Sequence, residues 1–172
     1  MTLSERYREM TQTSPPLPWR PVPIHIGGVT AVGFGMDTEW LLVLTHSGLG
    51  VVDCKSGLVV AREVEMESVF DESHPIYANG IGPLEGQRVP LAGLWGGGLR
   101  TMSRDGWVVH RVSPNWPAEC GVLCPPEYPE IEDHSTAFML VKDMNPPILA
   151  LGFSDSGKTP VVANTLLYLW NR

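Results

Sequence analysis

The chain has 172 residues, a formal net charge of −7 and an apolar fraction of 43%. Its length predicts a single domain with a core of its own. The acidic balance argues against a nucleic-acid backbone or an anionic membrane as the main partner. Glycine (18) and proline (16) are both frequent, which favours many turns and short strands over long helices.

Three cysteines, Cys54, Cys120 and Cys124, give an odd count with no dense disulfide framework. This count indicates a reducing compartment. Residues 1–10 are polar, so they show no secretory signal, and no run approaches the roughly 20 apolar residues of a membrane span. We therefore expect a cytoplasmic protein.

Residues 1–20 are predicted to form a short helix and a proline-rich lead-in. Thr2 to Glu5 fits a capping box, and Leu3 to Met10 can make two helical turns. Residues 14–23 contain five prolines, which predicts an extended, polyproline-like segment lying on the surface.

Residues 21–62 contain four short apolar runs separated by turn residues, which predicts four β-strands. The runs are 29–35, 40–46, 49–54 and 58–62. Residues 138–172 repeat the first three of them, so that Ala31-Val32-Gly33-Phe34 matches Ala150-Leu151-Gly152-Phe153. The third unit lacks a fourth strand of its own, and the extended segment Val22 to Ile26 is expected to supply it.

A weaker middle copy covers residues 88–124, and the three copies start about 60 residues apart. Its expected strands are 89–95, 99–103, 107–112 and 120–124, with a turn at Arg104-Asp105-Gly106. Two acidic connections, 63–87 and 125–137, separate the three units and are longer than usual loops.

These repeats resemble the blades of WD40-like β-propellers. The segment Gly152 to Lys158 lies where such a blade has its Phe-Ser-x-Asp-Gly turn, and Leu169-Trp170-Asn171 lies where the third strand ends near Trp-Asp. The resemblance implies an all-β fold of three imperfect four-stranded units. Since three blades are fewer than usual, three arrangements stay open: a dimeric six-bladed ring, a small distorted barrel or sandwich, and a hidden blade within 63–87.

Residues 152–159 match the phosphate-binding pattern G-x-x-x-x-G-K-[ST] in full. A working P-loop needs a helix directly after it. Here Pro160 and a short apolar run follow, and both favour a strand. We therefore interpret Gly152 to Thr159 as a hairpin turn and predict no nucleotide cofactor.

No catalytic or metal-binding set is predicted. Cys120 and Cys124 on one strand are roughly 13 Å apart, too far for a shared zinc ion even with Asp133 and His134 nearby. No Gly-x-Ser-x-Gly elbow is present. The alternating acids of 63–67 are better explained as a solvent-exposed strand edge than as a glycosidase or calcium site.

Exposed loops carry the candidate partner-binding residues. Aromatic and arginine side chains are typical interface hot spots, and the acidic connections suit a basic partner. The candidates are Glu67, Asp71, Glu72, Tyr77, Trp95, Arg100, Trp116, Glu130, Glu132 and Asp133.

The sequence favours a non-enzymatic protein-binding module. A narrower hypothesis is a small acidic bacterial inhibitor, such as an immunity protein that neutralises a basic toxin. Two alternatives stay open. One is an enzyme or small-ligand binder that uses the glycine-rich loop 95–100 and the acidic loops. The other is a structural subunit of a larger β-propeller-like assembly joined at exposed strand edges. A homodimer is also among the expected partners.

Overall fold

The computed structural model describes residues 2–66, 73–128 and 136–172. Within these ranges the chain forms helix α1 (Leu3–Glu9), a 3-10 helix (Gly82–Leu84) and fourteen strands. The strands are β1 (Arg20–Val22), β2 (Val29–Phe34), β3 (Trp40–Thr45), β4 (Gly48–Asp53), β5 (Val59–Glu63), β6 (Tyr77–Asn79), β7 (Arg88–Pro90), β8 (Ala92–Gly93), β9 (Val108–Asn115), β10 (Ala118–Cys124), β11 (Phe138–Met144), β12 (Ala150–Phe153), β13 (Pro160–Ala163) and β14 (Leu167–Asn171).

The strands pair antiparallel in four sheets, and none of the sheets closes on itself in the described part of the chain. A four-stranded sheet has the order β1-β14-β13-β12, and a five-stranded sheet has the order β5-β4-β3-β2-β8. A three-stranded sheet has the order β11-β10-β9, and β6 pairs with β7. The protein is therefore mostly β, as its composition predicts.

The four-stranded sheet is the middle layer of a stack of three. Val161 packs into the core shared with the five-stranded sheet, and its neighbour Val162 packs into the core shared with the three-stranded sheet. Neighbouring residues of a strand point to opposite faces, so one short strand contributes to both cores. This explains why β13 has a continuous apolar sequence and is buried along its whole length.

The outer faces of the stack are covered by small elements. The β6–β7 pair and the 3-10 helix place Ala78, Leu84 and Val89 against the five-stranded sheet. Helix α1 places Tyr7, only 3% exposed, against the three-stranded sheet. Burial raises the pKa of the Tyr7 hydroxyl above its ordinary value.

Helix α1 begins at the predicted capping box. The Thr2 hydroxyl accepts a hydrogen bond from the Glu5 amide at 3.3 Å, and the Glu5 carboxylate accepts one from the Thr2 amide at 2.6 Å. A helix of seven residues is too short to be stable alone, so its packing through Tyr7 holds it in place. No helix in the described ranges is long and apolar enough to cross a membrane.

The strands predicted for the first and third units are confirmed to within one or two residues. The expected fourth strand of the third unit is also present, although it lies at Arg20–Val22 rather than Val22 to Ile26, and it pairs with β14. This shift places most of the proline-rich segment before the strand and leaves Pro23 to Ile26 outside it.

The middle unit, 88–124, does not form a sheet of its own, which corrects the sequence-based assignment. Strand β7 pairs with β6, and β8 pairs with β2 of the five-stranded sheet. Strands β9 and β10 pair with β11, which had been assigned to the third unit. The expected strand at 99–103 is reduced to isolated bridges at Arg100 and Met102. Only the strands predicted at 107–112 and 120–124 are confirmed in this unit, and they pair with each other, while the second also pairs with β11.

Candidate functional site

The stack of sheets has two chemically different ends. The first, called here the charged end, consists of the turns 35–39, 103–107 and 154–159. These turns are tied to one another, since the Asp37 amide donates to the Asp155 carboxylate at 3.2 Å. Arg104 forms an ion pair with Asp37 at 2.7 Å.

The opposite end, called here the aromatic end, carries the turns Leu94–Gly96, Asn115–Pro117 and Thr165–Leu166. The Val29 amide donates to the Thr165 carbonyl at 3.2 Å, and the Leu94 amide donates to the Thr30 carbonyl at 2.9 Å. The first bond joins the ends of the five-stranded and four-stranded sheets, and the second holds the Leu94–Gly96 turn against β2.

The three-stranded sheet reaches the same aromatic end. Glu119, next to the Asn115–Pro117 turn, accepts a hydrogen bond from the Ile148 amide at 2.8 Å. Asn164, next to the Thr165–Leu166 turn, donates to the Pro146 carbonyl at 3.1 Å. All three sheets therefore present a turn at this end.

Large apolar side chains are exposed at the aromatic end. Trp116 is 80% exposed and Trp95 is 46% exposed. Leu94 and Leu166 are 56% and 49% exposed. By contrast, Trp19 and Trp170 are almost fully buried in the core, so the two exposed tryptophans stand apart from the structural ones.

The turn that carries Trp116 is braced from two sides. The Arg8 guanidinium of α1 donates to the Pro114 carbonyl at 2.9 Å and to the Asn115 side chain at 3.0 Å. Asn115 in turn donates to the Asp143 carboxylate at 3.0 Å. Trp116 is thus exposed on a turn that these hydrogen bonds hold in place. A preordered turn loses less conformational entropy when Trp116 is buried against another surface.

The P-loop match lies in a β-hairpin. Gly152 lies in β12, and the turn 154–159 connects β12 to the antiparallel strand β13, so the predicted hairpin is confirmed. Backbone amides inside the turn are already used, since Ser154 donates to the Thr159 carbonyl and Gly157 to the Ser154 carbonyl, both at 2.9 Å. A P-loop presents such amides to phosphate, whereas this turn bonds them to itself.

The hydroxyl groups of the same turn hold a carboxylate from the neighbouring sheet. Glu39 accepts hydrogen bonds from Ser154 (3.2 Å), Ser156 and Thr159. Asn171 donates to the Thr159 hydroxyl at 2.8 Å, and Thr159 is fully buried. The polar residues that make the pattern look like a phosphate site therefore join two sheets.

Gly152 has a packing role. The Phe153 amide donates to the Arg100 carbonyl at 2.7 Å, which brings the chain at Leu99 and Arg100 alongside β12. A Cβ atom at Gly152 would collide with the Leu99 side chain. Close approach of another segment is a common reason for glycine inside a strand.

Arginine ion pairs dominate the charged end. Arg100 pairs with Asp155 at 3.0 Å, and Arg172 pairs with Asp105 at 2.7 Å. The hydrogen bond from Arg172 is the main reason that the pKa of Asp105 is lowered to about 2. Arg100, a candidate partner-binding residue, is therefore committed to an ion pair within the molecule.

The structure does not gather the candidate partner-binding residues at one place. Trp95 and Trp116 lie at the aromatic end, Arg100 lies at the charged end, and Tyr77 lies on the outer β6–β7 pair with the Arg88 guanidinium 4.6 Å above its ring. The other six lie outside the described residues: Glu67, Asp71, Glu72, Glu130, Glu132 and Asp133.

Sequence reasoning missed Leu94, Leu166 and Glu39. The first two are leucines within apolar stretches, and no local pattern separates an exposed leucine from a core one. Glu39 follows a turn and looks like a solvated acid. Only its position opposite the Ser154–Thr159 turn reveals its role, because the two segments are more than 100 residues apart in the chain.

The cysteines are packing residues. Cys54, Cys120 and Cys124 are all 0% exposed and carry no disulfide. Burial raises the pKa of each thiol, to about 11 for Cys124. In the described ranges no group of three or more His, Cys, Asp or Glu residues is placed to hold a metal ion, and Asp133 and His134 lie outside those ranges.

We predict that the folded protein does not react with a thiol-specific reagent at pH 8. The thiolate is the reactive form, and burial both disfavours it and blocks access. Titration with Ellman's reagent should detect no thiol in buffer and three in denaturant. Rapid labelling of one or more cysteines in buffer would contradict the observed burial.

Comparisons with known proteins found no match to the chain, neither a protein-family model nor a curated protein. The arrangement of its own residues is therefore the basis for a functional proposal.

Proposed function

We propose that this protein is a non-enzymatic protein-binding module that binds its partner through the aromatic end. The observation that carries the proposal is the exposure of Trp116 (80%) and Trp95 (46%) at the same end of the stack. Tryptophan is the residue type most enriched at interface hot spots, because it buries a large area at little entropic cost.

The hydrogen bonds that hold the Trp116 turn favour binding of the partner to a surface that is already formed in the free protein. The Trp116 turn is braced by Arg8 and Asp143 through Asn115. Leu94 and Leu166 supply apolar surface at the ends of the other two sheets. Since stacked sheets lie about 10 Å apart, turns on the two outer sheets are separated by about 20 Å, a span compatible with an interface of ordinary size.

The partner we propose is a protein with apolar pockets and a net positive surface. The formal charge of −7 would steer a basic protein towards this chain and would make the association rate sensitive to salt. A narrower version of the proposal is an acidic inhibitor that neutralises a basic enzyme or toxin. Its support is the charge and the small size, together with the rigid aromatic end.

We also propose, as the WD40-like resemblance suggests, that two of the sheets descend from one blade-like unit. The support is that β2-β3-β4 and β12-β13-β14 repeat the same hairpin order. Gly33 and Gly152 occupy equivalent positions, and at both a neighbouring chain segment leaves no room for a Cβ atom.

The binding proposal is tested by affinity capture with variants of the aromatic end. Tagged wild-type protein, the double variant Trp95→Ala/Trp116→Ala and the control Met36→Ala are used as baits in lysate of the source cells at moderate salt. Met36 is a matched control, because it is 74% exposed but belongs to the charged end. We expect one stoichiometric partner with wild type and Met36→Ala, and at least a hundredfold weaker binding with the double variant.

The purified partner is then titrated by calorimetry at two salt concentrations. Unchanged affinity of the double variant would reject the aromatic end as the binding surface. A wild-type bait that recovers no protein in stoichiometric amount would reject the module itself.

A further inference from the structure

A small apolar pocket lies on the inner face of the five-stranded sheet, and neither exposed tryptophan lines it. Its enclosed space is about 110 Å³, which is small for a ligand site and suits only a short hydrocarbon chain. Its apolar walls come from Ile26, Val43, Leu49, Val59 and Val64.

The floor of this pocket is Gly50, in the middle of β4. Across the sheet Gly50 lies directly opposite Val43 on one side and Arg62 on the other. Residues opposite one another share a face and stand about 5 Å apart. Val43, Gly50 and Arg62 therefore form one row: an apolar wall, a floor without a side chain, and a cation.

The fold itself does not require glycine at position 50. A Cβ built there has its nearest neighbours, the Ala61 carbonyl oxygen and a Val59 methyl, at 3.5 and 3.6 Å, which is ordinary contact. Its φ is not in the left-handed region, unlike that of Gly48 (+135°). Glycine inside a strand weakens the strand, and here the missing side chain leaves the space that forms the pocket.

Arg62 is the uncommitted charge at the mouth of the pocket. Among the described residues its guanidinium makes no hydrogen bond or ion pair, and its side chain is exposed. Glu63 also lines the pocket, but it makes no ion pair with Arg62, and its Oε1 accepts hydrogen bonds from the Val64 and Glu65 amides at 2.9 and 3.0 Å. An apolar pocket with one free guanidinium is complementary to a ligand with a hydrocarbon chain and a terminal anionic group.

We propose that this pocket binds a small aliphatic monocarboxylate. Its hydrocarbon chain lies over Gly50 between Val43 and Val59, and its carboxylate pairs with Arg62. The planar guanidinium donates two parallel hydrogen bonds to a carboxylate. The aliphatic walls favour the binding of an unbranched hydrocarbon chain over that of a polar chain. Its lining shares no residue with the aromatic-end side chains proposed above for protein binding, and the proposal does not depend on that function.

Hexanoate is the probe for the test. Hexylamine and hexanol are the comparison ligands, because they have the same hydrocarbon chain but a different terminal group. Binding is followed by ¹H–¹⁵N chemical-shift titration of the full chain. We expect saturable shifts at residues 43–50 and 59–64 with hexanoate, and at least tenfold weaker binding of the amine and the alcohol.

Two variants test separately the contributions of the space above Gly50 and of the Arg62 charge to hexanoate binding. Gly50→Val should abolish hexanoate binding while the melting temperature stays equal or rises, because a strand accepts valine better than glycine. Arg62→Gln should weaken hexanoate about tenfold and leave hexanol unchanged. Arg20→Gln, which removes an exposed arginine outside the pocket, should bind hexanoate as wild type does.

The proposal is overturned if hexanoate gives no saturable shifts up to about 10 mM, in the millimolar range that marks the weakest specific binding. It is also overturned if hexylamine binds as tightly as hexanoate, or if folded Gly50→Val binds like wild type. Loss of partner capture in the tryptophan variants with intact hexanoate binding would show that the two surfaces act separately.

Discussion

Replacing Glu39 by alanine should lower the free energy of unfolding by about 2–4 kcal/mol. The carboxylate accepts hydrogen bonds from Ser154, Ser156 and Thr159. Ser154 and Thr159 are 1% and 0% exposed, so water cannot replace the lost acceptor without a rearrangement of the turn. Urea unfolding of the variant and wild type at pH 7 measures the loss.

Two further variants make this result specific. Glu39→Gln keeps one acceptor oxygen and should lose less than half as much stability. Glu85→Ala removes an exposed acid whose side chain makes no hydrogen bond in the described residues, and it should change stability by less than about 0.5 kcal/mol. If Glu39→Ala and Glu85→Ala changed the free energy of unfolding by the same small amount, the contacts of Glu39 would not hold the two sheets together.

The Glu39 variants also bear on the P-loop pattern. The hydroxyls and amides of the Ser154–Thr159 turn are used within the protein, and Lys158 is exposed beside them. Lys158→Ala should therefore leave the free energy of unfolding unchanged, both in buffer and in the presence of ATP. Tight ATP binding that Lys158→Ala abolished would contradict this interpretation.

Replacing Trp19 by alanine should lower the free energy of unfolding by about 3–5 kcal/mol. Trp19 is 2% exposed and packs edge-on against Trp107, with ring centroids 5.0 Å apart. Its indole N–H donates to the Lys158 carbonyl at 2.8 Å, and the Arg172 guanidinium lies 4.2 Å from its ring centre. The variant would leave a cavity, remove the cation–π contact and leave the Lys158 carbonyl with only the longer hydrogen bond from the Arg172 amide, at 3.3 Å.

The control for Trp19 lies in the same proline-rich segment. Leu17 is 78% exposed, and Leu17→Ala should leave the melting temperature within about 2 °C of wild type. Trp19→Phe keeps most of the ring volume and should fall between the two. Equal melting temperatures for Trp19→Ala and Leu17→Ala would mean that the segment is only a surface linker, as its composition had suggested.

The sequence by itself determined the local elements where a single pattern was strong. The capping box placed the start of α1 at Thr2, and the apolar runs placed β2 to β5 and β12 to β14. Pro160 and the short apolar run after it predicted that a strand, not a helix, follows the Gly152–Thr159 turn, and the structure confirms the strand. These features depend on neighbours along the chain, and alternation, turn residues and caps act over only a few residues.

Only the tertiary structure decided which strands pair and which faces meet. The run at 89–95 has the pattern of one strand, but the structure has two short strands there, β7 and β8, which join different sheets. Trp19 lies in a segment with no periodic pattern, and its burial results from contacts with Trp107, Lys158 and Arg172 far along the chain.

The same limit applies to the candidate surfaces. Trp95 and Trp116 could be singled out as aromatic residues on loops, but only the stacking order of the three sheets brings their turns to the same end. The pocket over Gly50 was not predicted, because it is formed by side chains on three strands and on the segment around Ile26. Pairing and packing bring together residues distant in sequence, whereas the patterns of a single sequence report mainly on near neighbours.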